Sequence, residues 1–348
     1  MRGINDLKIR FCETGAALAT GGLGAAIFFW IGFPAPFLTG PAVAVTVAIL
    51  AGWRLSIPVP LRDVCFLTLG LNIGSTVTPG VLSSVATGLQ SFVVLTLTLV
   101  VSIITCSALL GRVFGFGRMT ALLSAAPGHL SYVLSLSEDL RSDIPRVAVV
   151  QAMRVFFLTL LVPVLLMLWG IDEAPPLLVI APMALGSMVA LFALSAGAAI
   201  VLRRLRVPAA WLLGGMFVSA FGHATELSPG LLPAWLTLGA FTVMGTVIGT
   251  RFRGQSLADL RRNLAAGLCV TLVACAIAAI GALVVAEALS LSPALLLIAF
   301  APGGVEVMAA MAVQIGVEPT FVAAHHVFRL VILTVLIPVF VGCVQRRG

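Results

Sequence analysis

Residues 122–136 read LLSAAPGHLSYVLSL, and residues 296–311 read LLIAFAPGGVEVMAAM. In each, an Ala-Pro-Gly triplet interrupts an otherwise apolar run. Proline has no backbone N–H to give a helix, and glycine loosens one. Pro127 and Pro302 stand 175 positions apart, about half of the 348-residue chain. Two interruptions at matching places in two halves point to a duplicated unit with a broken helix in each copy.

Hydrophobic residues make up 60% of the chain and charged residues 9%, with a mean hydropathy of +1.17. A soluble domain carries roughly 25% charged residues. Runs such as SFVVLTLTLVVSIITCSALLG (91–111) and VFFLTLLVPVLLMLWG (155–170) have the length a bilayer demands. The short alternating segments of an outer-membrane barrel are absent. The composition therefore predicts an all-α polytopic integral membrane protein. The first apolar run, residues 14–31, follows Lys8 and Arg10 as a signal peptide would. It lacks a small-x-small cleavage site and is read as a retained helix.

The six cysteines (Cys12, Cys65, Cys106, Cys269, Cys275, Cys343) form no CxxC pair. Neither a metal centre nor a disulfide framework is expected, and no cofactor. The net charge of +7 comes from arginines in short connections with no room for a nucleic-acid-reading module. Direct nucleic-acid binding is thereby set aside, and the charge is read as setting topology.

A 175-residue shift aligns Gly40 with Gly215, Pro58 with Pro233, Gly70 with Gly245 and Gly74 with Gly249. It also aligns Ala126-Pro127-Gly128 with Ala301-Pro302-Gly303, Arg154 with Arg329, and Pro163 with Pro338. The repeats are thus 1–175 and 176–348, with six apolar segments apiece. Lys and Arg number three at the N-terminus, then 0, 2, 0, 2 and 2 in the first repeat's connections, against 3, 0, 4, 0 and 0 in the second's. Corresponding loops have exchanged their charge, as two copies inserted in opposite orientations would.

Opposite orientation needs an odd number of crossings per copy, so one of six segments must enter and leave on the same side. With the fifth segments as re-entrant hairpins, 18 of the 20 basic residues fall on the cytoplasmic side. The expected architecture is two inverted-topology repeats, about ten transmembrane helices plus two re-entrant or broken hairpins. Both termini then face the cytoplasm. In the competing arrangement the fifth segment crosses and another, such as the short third, is re-entrant.

Irregular backbone at membrane depth survives only where protein or a water-filled cavity satisfies it, and transporters exploit such breaks as binding sites. The alternative is a proline kink with packing value only. Arg154 and Arg329 lie inside the sixth segments, where a charge is costly and usually functional. Gln151 and His326, three residues earlier, share their helical faces. Glu306 follows the second triplet. The candidate substrate-binding set is Arg154, Arg329, Pro127, Gly128, His129, Pro302, Gly303, Gly304, Glu306, Gln151 and His326. The arginines and hairpin tips would hold an anionic group, and Glu306 or His326 would carry a coupled proton. The bland alternatives are a snorkelling Arg154 and an Arg329 that only neutralises Glu306. His223 is read as structural, and Gly70/Gly74 and Gly245/Gly249 as close helix packing.

FLTGP (37–41), AAPGHLSYV (125–133) with APGGVEVMA (301–309), and VQAMRVFFL (150–158) with HHVFRLVIL (325–333) carry a further resemblance. The duplicated unit resembles the AbrB-like membrane proteins, a bacterial duplication family also labelled as ammonia monooxygenase. The resemblance implies an inner-membrane protein and brings with it a label of gene regulation. The residues do not favour the oxygenase label, since His129, His223, His325 and His326 form no evident metal set. No catalytic set is visible, so an enzyme is not expected.

The leading expectation is a secondary transporter of a small anionic or carboxylate-bearing solute, with alternating access of the repeats. The other is a membrane-embedded regulator acting indirectly on gene expression through a ligand or partner. The expected partners are a small-molecule solute, a coupling proton or Na+, the lipid bilayer, and a second copy in a homodimer.

Overall fold

The computed structural model describes residues 2–76, 89–127, 130–168, 183–225, 227–228 and 230–346. The expected repeat boundary at 175/176 lies outside the described residues, as do Gly128 and His129. The first repeat contributes α1 (Arg2–Trp30), α2 (Pro36–Leu50), α3 (Val59–Gly74), α4 (Leu89–Arg112), α5 (Arg118–Ala125), α6 (Leu130–Asp139) and α7 (Ile144–Leu168). The second contributes α8 (Leu185–Arg204), α9 (Ala210–Ala224), α10 (Ala234–Thr250), α11 (Leu257–Leu289), α12 (Pro293–Phe300), α13 (Val305–Ile315) and α14 (Pro319–Gln345). The protein is an all-helical polytopic membrane protein. Six helices (α1, α4, α7, α8, α11 and α14) are long and apolar enough to span a bilayer. The shorter α2, α3, α9 and α10 have 15 to 17 residues.

The chain divides into two compact units, and each draws on both repeats. The first unit is built from α1–α3, α8–α10, the rest of α7, the greater part of α13 and the start of α14. Its helices meet through glycines. A Cβ on Gly70 would fall on the Leu212 carbonyl and one on Gly74 on that of Met216, so α3 and α9 run parallel. One on Gly245 would strike the Leu38 carbonyl, and one on Gly249 would meet Val45 and Ala42, so α10 and α2 are also parallel. The second pair of contacts reproduces the first after the 175-residue shift. Gly24 and Gly40 bring α1 and α2 backbone to backbone in the same way. Close approach of this kind is how helices gain packing energy where lipid offers no hydrophobic drive.

The second unit holds α4, α5, α6, α11, α12, the first part of α7, the start of α13 and nearly all of α14. Equivalent helices α4 and α11 pack against each other. Cys106 faces Val270, its Sγ 3.7 Å from that carbonyl, and Thr98 faces Gly281. As one helix advances the other recedes, so they are antiparallel. Antiparallel pairing of duplicated helices is the geometry of inverted repeats.

The first fifth segment folds back on itself. Asp143, just beyond α6, donates its N–H to Thr120 Oγ1 at the start of α5, at 3.2 Å across 23 positions. A continuous helix of that length would separate them by about 35 Å. The Arg146 guanidinium also lies over the Phe116 ring, 5.2 Å from its centroid. The segment therefore enters and leaves on one side, as a re-entrant hairpin, which decides between the two arrangements left open by the sequence for this repeat.

Gly70→Leu and Gly245→Leu should each lower the thermal stability of the purified protein, by roughly 3 kcal/mol for forced overpacking. Gly342→Ala, with nothing near the added Cβ, is the control and should not lower the melting temperature.

Candidate functional site

The two breaks have one local cause. Proline drives the residue before it out of the helical region. Ala126, before Pro127, has φ −63° and ψ 120°, and Ala301, before Pro302, has φ −51° and ψ 134°. The last carbonyls of α5 and α12 are left without intrahelical donors at membrane depth. Unsatisfied there, they would be strongly unfavourable.

The sixth segments supply the donors. On α7, Gln151 Nε2 donates to the Leu123 carbonyl at 2.9 Å and to that of Ala126 at 2.8 Å. Arg154 Nη1 reaches the Ala126 carbonyl at 3.3 Å, and Nη2 donates to Gln151 Oε1 at 2.5 Å. On α14, His326 Nε2 lies 2.9 Å from the Ile298 carbonyl. Arg329 Nη1 donates to Ala301 O at 2.6 Å, and Nη2 donates to Gly303 O. Arg329 Nη2 also lies 2.7 Å from His326 Nδ1. An arginine only donates, so His326 Nδ1 accepts, and its Nε2 carries the proton given to Ile298.

Shifting the first set by 175 gives the second. Gln151 becomes His326, Leu123 becomes Ile298, Arg154 becomes Arg329 and Ala126 becomes Ala301. All four side chains are buried, Arg154 and Arg329 at 3% and 1% exposure. The second unit brings the two constructions together. Leu333 and Ile337, one and two turns beyond Arg329, pack on Leu122, Leu123 and Ala126 of the first break.

The sequence points these arginines toward a solute, whereas in the structure their Nη atoms engage backbone carbonyls and the side chains of Gln151 and His326, and the Arg329 Nε is buried without a partner among the described residues. A guanidinium beside a helix C-terminus also opposes the dipole's negative end. The N-terminal end of the second half-helix follows the break, and in the second copy the Gly303 N–H there donates to the Ala301 carbonyl at 2.8 Å. In the second copy this end comprises Gly303, Gly304 and the first turn of α13. A Cβ on Gly304 would make only ordinary contacts, with Glu306 Oε2 at 3.4 Å and Val307 at 3.8 Å, and Glu306 in that turn is buried. Pro127 is buried at the end of α5.

Two other polar residues that the sequence singled out are held by contacts within the first unit. His223 faces the Ser219 and Gly230 carbonyls at 2.8 and 2.9 Å. Asn72 Nδ2 donates to Thr237 Oγ1 at 3.4 Å. A pair the sequence did not connect is Ser91 with His325, at 2.7 Å from Nε2. Phe321 and Phe92 stack on this ring, with centroids at 4.1 and 4.6 Å. Their positions, 234 residues apart, carry no spacing signal.

A family model described as "Transition state regulatory protein AbrB" matches residues 37–345. The chain belongs to the AbrB family. It is 27% identical over 291 residues to the "Uncharacterized protein YhjN" of Bacillus subtilis (strain 168), covering 78% of this chain and 75% of that one. It is 25% identical over 307 residues to the "Putative regulator AbrB" of Escherichia coli (strain K12), covering 87% of this chain and 88% of that one.

The first copy has glutamine where the second has histidine, and both donate to the same carbonyl and accept from the same arginine. His326→Gln should therefore melt within a degree or so of wild type. His326→Leu and Arg329→Gln should each lose roughly 3 kcal/mol, because buried partners are left unsatisfied. A His326→Gln variant as unstable as His326→Leu would contradict this geometry.

Proposed function

We propose that this AbrB-family membrane protein is a secondary transporter, or permease, of a small anionic or carboxylate-bearing solute. It works by alternating access of its inverted repeats, without enzymatic chemistry. The observation that carries the reading is the pair of broken half-helices in one compact unit, each with its carbonyl end already bonded to an arginine. With the carbonyls taken and the Gly303 N–H bonded to Ala301, the backbone offered to a solute at the second break is the N–H end of α13 from Gly304 on, and a helix N-terminus favours anions. Two buried guanidinium groups add a positive field, which Glu306 partly balances. The arginines thus serve an anion by shaping and charging the break. Gly303, Gly304 and the first turn of α13 are its direct contacts, with Pro127 at the corresponding place in the first copy.

This reading places the protein in the bacterial inner membrane, with both termini cytoplasmic, a proton or Na+ as coupling partner, and a homodimer as the assembly. A second reading follows from the names of the family and of the Escherichia coli relative. It is a membrane-embedded regulator that binds a ligand or partner without moving it and affects gene expression indirectly.

Thermal unfolding in detergent against a panel of small inorganic anions, carboxylates, amino acids and cations tests the anion site. Binding to the folded state raises the melting temperature by about 2.7 kcal/mol equivalent at a hundredfold excess over Kd. Carboxylates or another anion class should give the shift. Gly304→Val should remove it while leaving the ligand-free melting temperature in place. Stabilisation by cations alone, or an anion shift that survives in Gly304→Val, would overturn the assignment.

A further inference from the structure

The connection leaving the second broken segment holds polar atoms that find no partner. Gly316, at φ 78°, turns the chain at the end of α13, and Val317 N donates to the Ala312 carbonyl at 3.1 Å. Around this turn Gln314 Nε2, Glu318 Oε1 and Thr320 Oγ1 are each buried without a hydrogen-bond partner among the described residues. Buried polar groups are nearly always satisfied, so three orphans within seven residues require a reason.

The first copy shows what has been removed. Under the 175-residue shift Glu318 corresponds to Asp143 and Phe321 to Arg146. Asp143 Oδ2 pairs with Arg146 Nε at 3.3 Å, and Asp143 Oδ1 accepts the Arg146 backbone N–H at 3.2 Å. In the second copy the arginine has become a buried phenylalanine, and no ion pair among the described residues reaches Glu318. Asp139 is replaced by Gln314, and Pro145 by Thr320. The titratable group on α13 is Glu306, in its first turn, at the far end from Glu318. On α14 the nearest are His325 and His326, about two turns along. Both have their ring nitrogens engaged, and His326 cannot take a second proton without losing its bond from Arg329. Burial, with no neighbouring charge, pushes the Glu318 carboxyl above its ordinary 4.5.

We propose that Glu318, with Gln314 and Thr320 around the same turn, is a proton-binding site in the α13–α14 connection, coupling solute movement to a proton. This rests on the transporter reading above. The proton is taken from water at that turn and returned to water, and no other bond changes. A neutral Glu318 suits the half-buried turn. An ionised one needs hydration or movement of the turn, which ties the protonation state to the conformation of the segment's exit.

The test needs no solute. A carboxyl held above its unfolded value contributes stability that is complete below the unfolded value and is lost as pH rises through the folded one. Thermal unfolding of the full-length protein from about pH 5 to about pH 8 should therefore show wild type losing stability as pH rises. Glu318→Gln should be flatter and should melt above wild type at the upper end. A pH-difference infrared spectrum should contain a protonated-carboxyl band that Glu318→Gln loses and Glu318→Asp keeps at a shifted frequency. Parallel pH profiles with an unchanged band would overturn the proposal. So would stabilisation by sodium over choline chloride that Glu318→Gln abolishes, which would make this a sodium site. A flat anion panel together with the expected pH result would strike only the transporter reading.

Discussion

The arrangement depends on carbonyl oxygens that proline leaves without donors inside a bilayer. Water is not there to take them, so side chains must. A guanidinium is suited to the task because it offers several donors in a fixed plane and carries the charge that a helix C-terminus favours. Gln151 and His326 complete the grip, one through an amide and the other through a neutral imidazole, and each also receives a hydrogen bond from its arginine. Two different residue types thus perform one geometric role, which identifies the role as donating to the break and accepting from the guanidinium.

The two compact units use different means of cohesion. In the first, glycines let α2 meet α10 and α3 meet α9 at backbone distance, and the two contacts are copies of each other. In the second, the longer α4 and α11 pair antiparallel and carry the broken segments with the sixth helices. Short helices of 15 to 17 residues are tolerated in the first unit because their glycine faces are covered by protein.

The duplication is symmetric where backbone must be satisfied and asymmetric where chemistry can differ. Arg154 and Arg329 do the same thing. Asp143 and Glu318 do not, because Arg146 pairs with one and Phe321 stands in the corresponding place beside the other. Divergence in the connections that follow the broken segments thus goes with constancy at the breaks.

Much of this was legible in the residues. Apolar runs of bilayer length, the exchange of loop arginines and the 175-residue register of Pro127 with Pro302 determine a duplicated, inverted, all-helical membrane protein. They do so because hydrophobicity, charge bias and the missing N–H of proline act locally along the chain. The partners of the arginines were not legible. Carbonyls carry no side-chain identity, so no spacing could show that Arg154 and Arg329 face Ala126 and Ala301 in place of an open cavity. Nor could spacing join Ser91 to His325, or reveal that Gln314, Glu318 and Thr320 end with orphaned atoms. Those facts arise from segments distant in sequence, or from which groups are left over after packing. Only the tertiary structure decides that.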